Sequence, residues 1–542
     1  MKRLIQIFQS RYATAFCIIF AIANRIVFAT LYSTIGRDTK VQLTYAENLL
    51  AGKGMGVTKY YTANLNAPVF DTYWFFPPGF SFSIIPFLKL FNRHEYSAVL
   101  AFDILAAILF IVAVRLLGKK AGLPAAINNI IAIIAGCSQY PFFMSSSSTD
   151  VISLSLVLFA LAVMIGIANR KKDLSLFQII AYGFLFFLPT SFRYMYLPVT
   201  ILLPLLIVFA GVLSKSRQLK ITGIKLVAIS IFLLVLLFVF TASYSGNAVH
   251  IYNTGRGVFF DQVIRWYPFL PASFINLDFA AQQVEKVSGV GYNSVIFCLE
   301  IINAIFFLSL LILLTRYLIS YKKNLVLSKH SVFITTGSII SVIIIIMLGY
   351  LSLTYKAQDW GAYKWTYSYD VRYFAFIYIF MPLLFFTVLH FYPIHIKKIG
   401  MTIFIFFALF CFAAEVLHGI YYNAKILIHH ESLGIIRDRD KDYRSFPVII
   451  QDLKNKNPDR EILVCAPDQF YLHTASEMGY KAIFDYINLN QSELKIYTKS
   501  ILLVPVHQQD AWIMKEYVEK KKPTIIATIA GTNFYVEELN SQ

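Results

Sequence analysis

The stretch ATAFCIIFAIANRIVFATLYSTIGRDTK, residues 13–40, joins a long apolar run to a group of charged side chains. The apolar part, residues 13–34, is long enough to cross roughly 30 Å of hydrocarbon as a helix. Arg37, Asp38 and Lys40 follow where that helix would leave the membrane. The run is longer than the apolar region of a cleavable signal peptide and has no clear cleavage site, so it predicts a retained span and signal anchor.

Apolar runs of this kind recur along most of the chain. The 542 residues are 58% hydrophobic and 14% charged, whereas a soluble globular domain carries roughly 25% charged residues. A backbone in lipid must satisfy its own hydrogen bonds, so these runs should be helices. The fold class predicted is therefore mainly α: a polytopic helical membrane protein with about eleven transmembrane helices.

The distribution of charge predicts the topology. The net charge is +18, and basic clusters such as MKRLIQIFQSR, RLLGKK and SKSRQLK separate the apolar runs. Lys and Arg are enriched in cytoplasmic loops, which explains this charge better than a nucleic-acid partner does. We expect no nucleic acid. We expect a multi-pass protein of the inner (plasma) membrane, with its N-terminus cytoplasmic and its C-terminus extracytoplasmic (periplasmic). The predicted spans lie near residues 13–34, 96–116, 124–143, 149–168, 175–190, 195–213, 223–244, 293–314, 331–352, 373–391 and 400–420.

Composition changes near residue 421, where the chain becomes almost neutral: residues 431–542 hold 14 Lys+Arg and 16 Asp+Glu. Short apolar runs such as EILVCAP and SILLVPV alternate with helical patterns such as FPVIIQDLKNK. This alternation predicts a small extracytoplasmic α/β domain with a mostly parallel sheet at residues 426–542. Residues 1–425 form the predicted transmembrane domain, with long outer loops at about 35–95 and 245–292.

Acidic side chains concentrate on the predicted outer face and supply the candidate catalytic residues Asp38, Asp71 and Asp150. Asp38 stands at the end of a span, where a partly desolvated carboxylate gains proton affinity and becomes a better base. A solvated charge or a helix N-cap is the alternative for Asp38, and a turn residue is the alternative for Asp71. Asp150, in SSSSTD, opens a predicted span.

Arginines on the same face suggest phosphate binding. Arg193 lies in a very short outer turn, Arg256 in the second long outer loop, and Arg372 at the outer start of a late span. A guanidinium fork matches phosphate oxygens. Each arginine alone is more typical of a lipid-headgroup anchor, whereas several beside carboxylates predict a phosphate-facing cavity.

The order of these features resembles the GT-C glycosyltransferases, the membrane class that includes the protein O-mannosyltransferases and the aminoarabinose transferases of lipid A. The resemblance covers about residues 12–390. It rests on an acid after the first span (GRDTKVQLTYAENLLAGKG), a Pro-Pro element (YWFFPPGF), a second acid (SSTDVISLSL), a turn arginine (LPTSFRYMYLP) and a late Arg-Tyr (DVRYFAFIYIFMP). The sequence departs from both branches: Thr39 follows Asp38, and Phe75 and Phe76 precede Pro-Pro.

This resemblance implies a polyprenyl-phosphate-linked sugar donor and an inverting transfer to an extracytoplasmic lipid, glycan or protein acceptor. Asp38 matches the general base, and Asp150 matches the second acid. Membrane lipids are the remaining expected partners. The candidate substrate-binding residues are Arg193, Arg256, Arg372, Tyr373 and Tyr45.

The same chemistry follows from the residue types. A lipid-linked sugar leaves as a phosphate, which needs cationic stabilisation rather than a strong acid. The acceptor must lose a proton, which one carboxylate can take. The scheme requires no cofactor and no metal, although a divalent ion held by Asp38 with Asp71 stays open as an alternative. The five cysteines include no C-x-x-C pair, so neither a disulfide framework nor a zinc site is indicated.

Three other functions use similar sequence features. A lipid or lipid-linked-sugar transporter (flippase) also needs charges near the membrane, but it often shows repeated halves, which this sequence lacks. A polysaccharide polymerase or ligase is a second alternative. A non-catalytic receptor that uses the outer domain is the third.

Overall fold

A computed structural model of the chain describes most of the helical bundle and the C-terminal domain. The described residues are 10–32, 35–71, 76–138, 149–170, 173–245, 278–291, 294–295, 297–299, 301–302, 305, 312, 328–354, 358–360, 363–365, 371–391, 399–429, 435–485, 489 and 499–539.

Helices dominate the described part of the first 429 residues. They are α1 (Arg11–Tyr32), α2 (Arg37–Leu50), α3 (Gly79–Leu90), α4 (Glu95–Lys120), α5 (Ala125–Cys137), α6 (Thr149–Ala168), α7 (Leu176–Phe192), α8 (Leu197–Leu213), α9 (Arg217–Ser245), α10 (Asp278–Ser288), α11 (Lys329–Thr354), α12 (Ala375–Phe391) and α13 (Ile399–His429).

The prediction of a helical membrane protein is confirmed. Among the described residues, six helical segments are long and apolar enough to cross a membrane: Arg11–Thr30, Glu95–Lys120, Thr149–Ala168, Tyr194–Leu213, Arg217–Ser243 and Lys329–Tyr350. Shorter apolar helices include α5, α7 and α12. The span predicted near 293–314 lies largely outside the described residues, as does the end of the one predicted at 124–143.

The centre of the bundle is the parallel pair α4 and α6, whose C-terminal ends meet where Lys120 lies against Gly166. Helices α1, α5 and α13 pack along one side of it, and α7, α8 and α9 along the other. One continuous apolar core, which includes Phe110, Leu158, Phe376 and Phe380, joins the two sides. The ends of α4 show its polarity: Glu95 lies in its first turn, and Lys119 and Lys120 lie in its last. Both placements complement the helix dipole.

A seven-stranded sheet forms outside the bundle. Its strands are β1 (Val57–Tyr61), β2 (Asn64–Asp71), β5 (Glu461–Cys465), β6 (Lys481–Ile483), β7 (Ser500–His507), β8 (Thr524–Ile529) and β9 (Thr532–Leu539), in the order β2-β1-β6-β5-β7-β9-β8. Strands β1, β6, β5 and β7 are mutually parallel, whereas both edges pair antiparallel, so the sheet is mixed and not mostly parallel as predicted. The short strands β3 (Gln358–Trp360) and β4 (Tyr363–Trp365) form a separate antiparallel pair.

Helices α14 (Ile435–Lys456), α15 (Gln469–Glu477) and α16 (Lys515–Lys521) complete the C-terminal α/β domain, which confirms the predicted fold class. Two strands of its sheet come from the first outer loop. The amide of Phe484 donates to the carbonyl of Tyr60 at 3.0 Å, and the amide of Thr62 donates to the carboxylate of Asp485 at 2.9 Å. Residues more than 400 positions apart therefore share one sheet, which ties the C-terminal domain to the loop that carries Asp38.

Candidate active site

Asp38 lies in the first turn of α2. The helix N-cap is Gly36, so Asp38 is not the cap that the alternative interpretation required. Its side chain is half-buried, and the side-chain amide of Gln42 donates to its carbonyl oxygen at 3.0 Å. A carboxylate in a first helical turn is stabilised by the helix dipole. Asp38 is thus half-buried at the start of a helix whose dipole favours the charged carboxylate, the form that can accept a proton.

Helix α3 connects α2 to the end of α7. The hydroxyl of Ser81 on α3 donates to the carbonyl of Gln42 at 2.9 Å. At the start of α3, Gly79 lies so close to α7 that an added Cβ would stand 2.4 Å from the carbonyl oxygen of Ser191. Only glycine permits this approach. The contact fixes the helix that carries Asp38 relative to the turn that carries Arg193.

Asp150 and Arg193, two of the predicted residues, form a buried ion pair. One guanidinium nitrogen of Arg193 contacts the carboxylate of Asp150, and the two side chains are only 8% and 11% exposed. Asp150 is in the first turn of α6, and Arg193 is the C-cap of α7. Each charge complements the dipole of its own helix. Within the described residues, Nε of Arg193 is buried and has no hydrogen-bond acceptor.

The turn that carries Arg193 is fixed by two threonines. The hydroxyl of Thr200 on α8 donates to the carbonyl of Phe186 at 2.8 Å. The hydroxyl of Thr190 on α7 lies 2.6 Å from that of Thr200 and donates to it. These buried bonds hold α7 and α8 together on both sides of the turn. The guanidinium therefore projects from a rigid support.

Asp38 lies at the end of the bundle that also holds the Asp150–Arg193 pair. Lys40, two residues after Asp38, contacts Glu95 in the first turn of α4. Ile35, Ile152 and Phe192, which neighbour the three candidates in sequence, belong to one apolar cluster that extends into the C-terminal domain.

Tyr45 lies on the same helix as Asp38, and Asp71 lies at the end of strand β2. Tyr45 is buried on α2 and packs with Val41, Met55 and Phe76, so it forms part of an apolar core. The backbone of Asp71 ends β2 and pairs with Val57, which places it on the antiparallel edge of the sheet.

The remaining candidates belong to the later part of the chain. Arg372 and Tyr373 lie in the short 3-10 helix Val371–Phe374 that precedes α12. Tyr373 is partly buried against the core of the bundle. Only the backbone of Arg372 is described, and Arg256 lies outside the described residues.

Sequence reasoning missed a buried charge network beside Asp38, which we call the Lys40 network: Lys40, Thr44, Glu95 and Glu477. The amine of Lys40 donates to the carboxylate of Glu95 at 2.8 Å and also pairs with Glu477. The hydroxyl of Thr44 donates to Glu477 at 2.6 Å. The network joins α2 to the bundle and to α15 of the C-terminal domain. No local sequence pattern signals a contact across more than 430 residues.

In the Lys40 network, burial and the ion-pair partners shift pKa values in opposite directions. Burial alone would lower the pKa of Lys40, but Glu477 and Glu95 raise it above its ordinary value. Burial raises the pKa of Glu477 above its ordinary value, and Glu95 adds to this, whereas Lys40 opposes it. One cation between two carboxylates therefore stays charged and holds the interface together.

Replacing Lys40 by Met should detach the C-terminal domain from α2. Two buried carboxylates would lose their cation, and breaking a buried pair in this way costs about 3–5 kcal/mol. We expect amide hydrogen exchange of α15 to accelerate in detergent-purified protein. The matched control is Lys481→Met, whose partner Glu461 lies at 2.8 Å in a more exposed pair; it should cost under about 1 kcal/mol. Equal exchange in both variants would refute a structural role for the network.

His473, on α15 beside this network, should make the stability of the C-terminal domain pH-dependent. Burial, with the charges of Lys40 and Lys59 adding to it, lowers the pKa of His473 to about 3. Between that value and the unfolded value of about 6.5 the folded state binds fewer protons. The stability contribution of neutral His473 is therefore complete above about pH 6.5 and is lost as the pH falls, by up to about 1.4 kcal/mol per unit.

The test compares wild type with His473→Gln from pH 7 to pH 4 by hydrogen exchange of α15. The wild type should lose more protection than the variant as the pH falls. Parallel curves would contradict a buried, neutral histidine.

A bound metal ion would need a group of His, Cys, Asp or Glu side chains close together. Within the described ranges, no group of three or more His, Cys, Asp or Glu side chains is arranged to hold a metal ion. The alternative of a metal between Asp38 and Asp71 is not tested, because the side chain of Asp71 is not described.

Comparison with known proteins finds similarity in structure. No family model and no curated protein matches the sequence. The oligosaccharyltransferase of Archaeoglobus fulgidus tethered to an acceptor peptide with an NVT sequon is 12% identical, with a TM-score of 0.50 over 98% of this chain and 74% of that one. The same enzyme in complex with Zn and sulfate is 14% identical, with a TM-score of 0.42 over 86% of this chain and 61% of that one. The chain thus spans about three-fifths of that structure.

ArnT from Cupriavidus metallidurans, bound to undecaprenyl phosphate, is 14% identical with a TM-score of 0.40, over 97% of this chain and 98% of that one. At 12% identity and a TM-score of 0.50, the similarity to the peptide-tethered oligosaccharyltransferase shows the fold alone. The chain has a GT-C-like membrane fold, as the sequence resemblance predicts.

Proposed function

We propose that this chain is a membrane glycosyltransferase that moves a sugar from a polyprenyl-phosphate donor to an extracytoplasmic lipid, glycan or protein acceptor, with inversion. The observation that carries the proposal is the buried Asp150–Arg193 pair gathered with the half-buried Asp38 at one end of the bundle. The similarity in fold to an oligosaccharyltransferase supports it. Because one fold hosts many activities, the site carries the functional argument.

Arg193 is suited to stabilise the leaving phosphate. When the bond between sugar and phosphate breaks, negative charge grows on the phosphate oxygens, and a fixed cation in a water-poor site stabilises that charge strongly. A guanidinium presents five donors in a planar fork, and the buried Nε of Arg193 has no acceptor among the described residues. Asp150 holds the guanidinium in place and keeps it neutralised until the donor arrives.

Asp38 is suited to activate the acceptor. Its carboxylate takes the proton of the acceptor hydroxyl or amine as that group attacks the anomeric carbon, which develops oxocarbenium character. Attack from the face opposite the phosphate inverts the configuration.

The site lies at a membrane boundary, which suits two substrates of different kinds. Helix α6 carries Asp150 at the end where α4 carries Glu95, and Lys119 and Lys120 mark the opposite end of α4. The positive-inside rule assigns the lysine end to the cytoplasm. A lipid-linked donor then approaches Arg193 from the bilayer of the inner membrane, and the acceptor arrives from the extracytoplasmic side. Arg256, Arg372, Tyr373 and Tyr45 remain proposed donor-binding residues, and Asp71 a proposed second acid.

The experiment supplies purified protein with a panel of polyprenyl-phosphate sugars labelled in the sugar, together with cell-envelope extract. The label should move to an acceptor in the extract, and the new linkage should have the anomeric configuration opposite to that of the donor. A retained configuration would exclude the single displacement with Asp38 as base. Label that stays on the lipid with every donor would contradict the transferase function.

A further inference from the structure

A basic cavity lies at the end of the bundle opposite the candidate active site. It has a volume of about 390 Å³ and is lined by Lys120, Arg170 and Lys329, with Asn169 and Tyr182 as polar neighbours. Pockets of about 300–1,000 Å³ are the usual size for small-molecule sites. Helix α6 runs from Asp150 to this cavity, and its 20 residues span about 30 Å. The cavity is therefore separate from the Asp150–Arg193 site.

Three cations from separate segments of the chain converge on this cavity. Lys120 ends α4, Arg170 follows α6, and Lys329 begins α11. None of the three forms an ion pair with an acidic residue in the described part of the chain. Like charges brought together repel each other unless an anion lies between them.

Helix dipoles and the positive-inside rule explain only part of this arrangement. A cation at the C-terminal end of a helix is stabilised by the dipole, which accounts for Lys120 and Arg170. Lys329 is the first residue of α11, and no acidic residue lies in the first turn of that helix. A cation at a helix N-terminus opposes the dipole. The position of Lys329 therefore adds to the positive potential of the cavity.

Two contacts orient the exposed cations at the cavity. The guanidinium of Arg170 donates to the side-chain oxygen of Gln178 at 3.5 Å, and Gln178 belongs to a capping box with Ser175 at the start of α7. The amine of Lys120 lies against Gly166 of α6, which brings the charge at the end of α4 towards α6.

Apolar side chains line part of the cavity, among them Leu116 and Val163. Helix α7 contributes Tyr182 to the lining, and elsewhere on its surface it exposes Leu176, Phe177 and Ile180, by 69%, 79% and 50%. In a membrane-spanning helix such exposed side chains face lipid. A charged and partly apolar pocket next to a lipid-facing helix suits a ligand with an anionic head and acyl chains.

We propose that this cavity binds the phosphate headgroup of an anionic membrane phospholipid, with Lys120, Arg170 and Lys329 around the phosphate. Arg170 supplies the planar fork that matches two phosphate oxygens, and the lysines supply point charges. Basic pockets between helices at the cytoplasmic side are suited to such headgroups. The acyl chains lie along the exposed apolar face of α7. The site is independent of glycosyl transfer.

The experiment is native mass spectrometry of the full chain in detergent, titrated with phosphatidylglycerol, phosphatidylcholine or inorganic phosphate. The wild type should retain one phosphatidylglycerol at least about tenfold more tightly than phosphatidylcholine. A variant with Lys120→Gln, Arg170→Gln and Lys329→Gln should lose that preference, because each nearby cation contributes about fivefold to the binding of an anionic headgroup.

The matched control neutralises Lys215, in the connection between α8 and α9, and Arg217 and Lys220, in the first turn of α9; all three are exposed, and none lines the cavity. This control variant changes the net charge by the same amount as the triple variant does. Its affinity for phosphatidylglycerol should stay within about twofold of the wild-type affinity. Lys329→Gln alone provides a second test if the triple variant fails to fold, and it should also weaken binding.

Three outcomes would overturn the proposal. In the first, the triple variant binds phosphatidylglycerol as tightly as the wild type does. In the second, the wild type binds phosphatidylcholine as tightly as phosphatidylglycerol. In the third, inorganic phosphate displaces phosphatidylglycerol from the wild type at equal concentration. The last outcome would assign the cavity to a soluble anion. Arg193→Gln should leave this binding unchanged, which separates the cavity from the donor site.

Discussion

Asp38→Asn is expected to lower the rate of sugar transfer by at least about 100-fold, because general-base catalysis typically contributes about 10²–10⁴-fold. The substitution keeps the size of the side chain and removes its ability to take a proton. Asp38 lies in the first turn of α2 and is half-buried, so the fold should tolerate an amide there. The measurement is the rate of polyprenyl-phosphate release by purified protein with a saturating donor and acceptor.

Two further variants separate chemistry from structure at this position. Asp38→Glu keeps a carboxylate and should retain more activity than the amide. Asp459→Asn removes an exposed carboxylate of the C-terminal domain and should stay within about twofold of wild type, as a remote surface change should. If Asp38→Asn releases polyprenyl phosphate at the wild-type rate, the base is elsewhere, and Asp71 and Asp150 are the next candidates.

Arg193→Gln is expected to reduce the same rate by about 10²–10³-fold, the usual effect of removing one charge-stabilising donor from a transition state. The loss should appear mainly in kcat, because charge on the phosphate grows as the bond to the sugar breaks. The variant leaves the buried carboxylate of Asp150 without its cation, which costs about 3–5 kcal/mol of stability. The thermal unfolding midpoint must therefore be measured alongside activity.

Arg193→Lys and Asp150→Asn distinguish the two halves of this pair. The lysine variant keeps the charge and loses the planar fork, so its rate should fall between those of wild type and the glutamine variant. Asp150→Asn should act through the position of Arg193, and Asp150→Glu should restore part of the rate. Arg93→Gln is the matched control, because Arg93 is 58% exposed and lies 3.7 Å from Glu47. Equal losses in Arg93→Gln and Arg193→Gln would refute a specific phosphate role.

The sequence was sufficient to predict the helical membrane fold and part of the site. Apolar runs of about 20 residues specify spans directly, and the basic clusters specify their direction. Once α6 and α7 are recognised as consecutive antiparallel spans, the start of one and the end of the other must lie at the same end. The proximity of Asp150 and Arg193 follows from this, and the structure places them in contact.

The C-terminal domain was predicted less completely. Four of its strands were recognised from short apolar runs, but β9 carries the mixed sequence TNFYVEEL and was missed. The two strands from the first outer loop were also missed, because pairing between Tyr60 and Ile483 leaves no periodic signal in either segment. The Lys40 network was missed for the same reason. Lys40 was noted as a boundary charge, yet its partner Glu477 lies in a different domain.

The release of free polyprenyl phosphate by the purified wild-type protein in detergent tests the central claim most directly. A detergent micelle has no sealed compartment, so a transporter has no gradient or second side to work with, whereas a transferase needs only donor and acceptor. We predict that polyprenyl phosphate accumulates with at least one polyprenyl-phosphate sugar when cell-envelope extract supplies the acceptor. No release with any donor, while the same protein in sealed vesicles moves a labelled lipid across the bilayer, would contradict the account and establish transport.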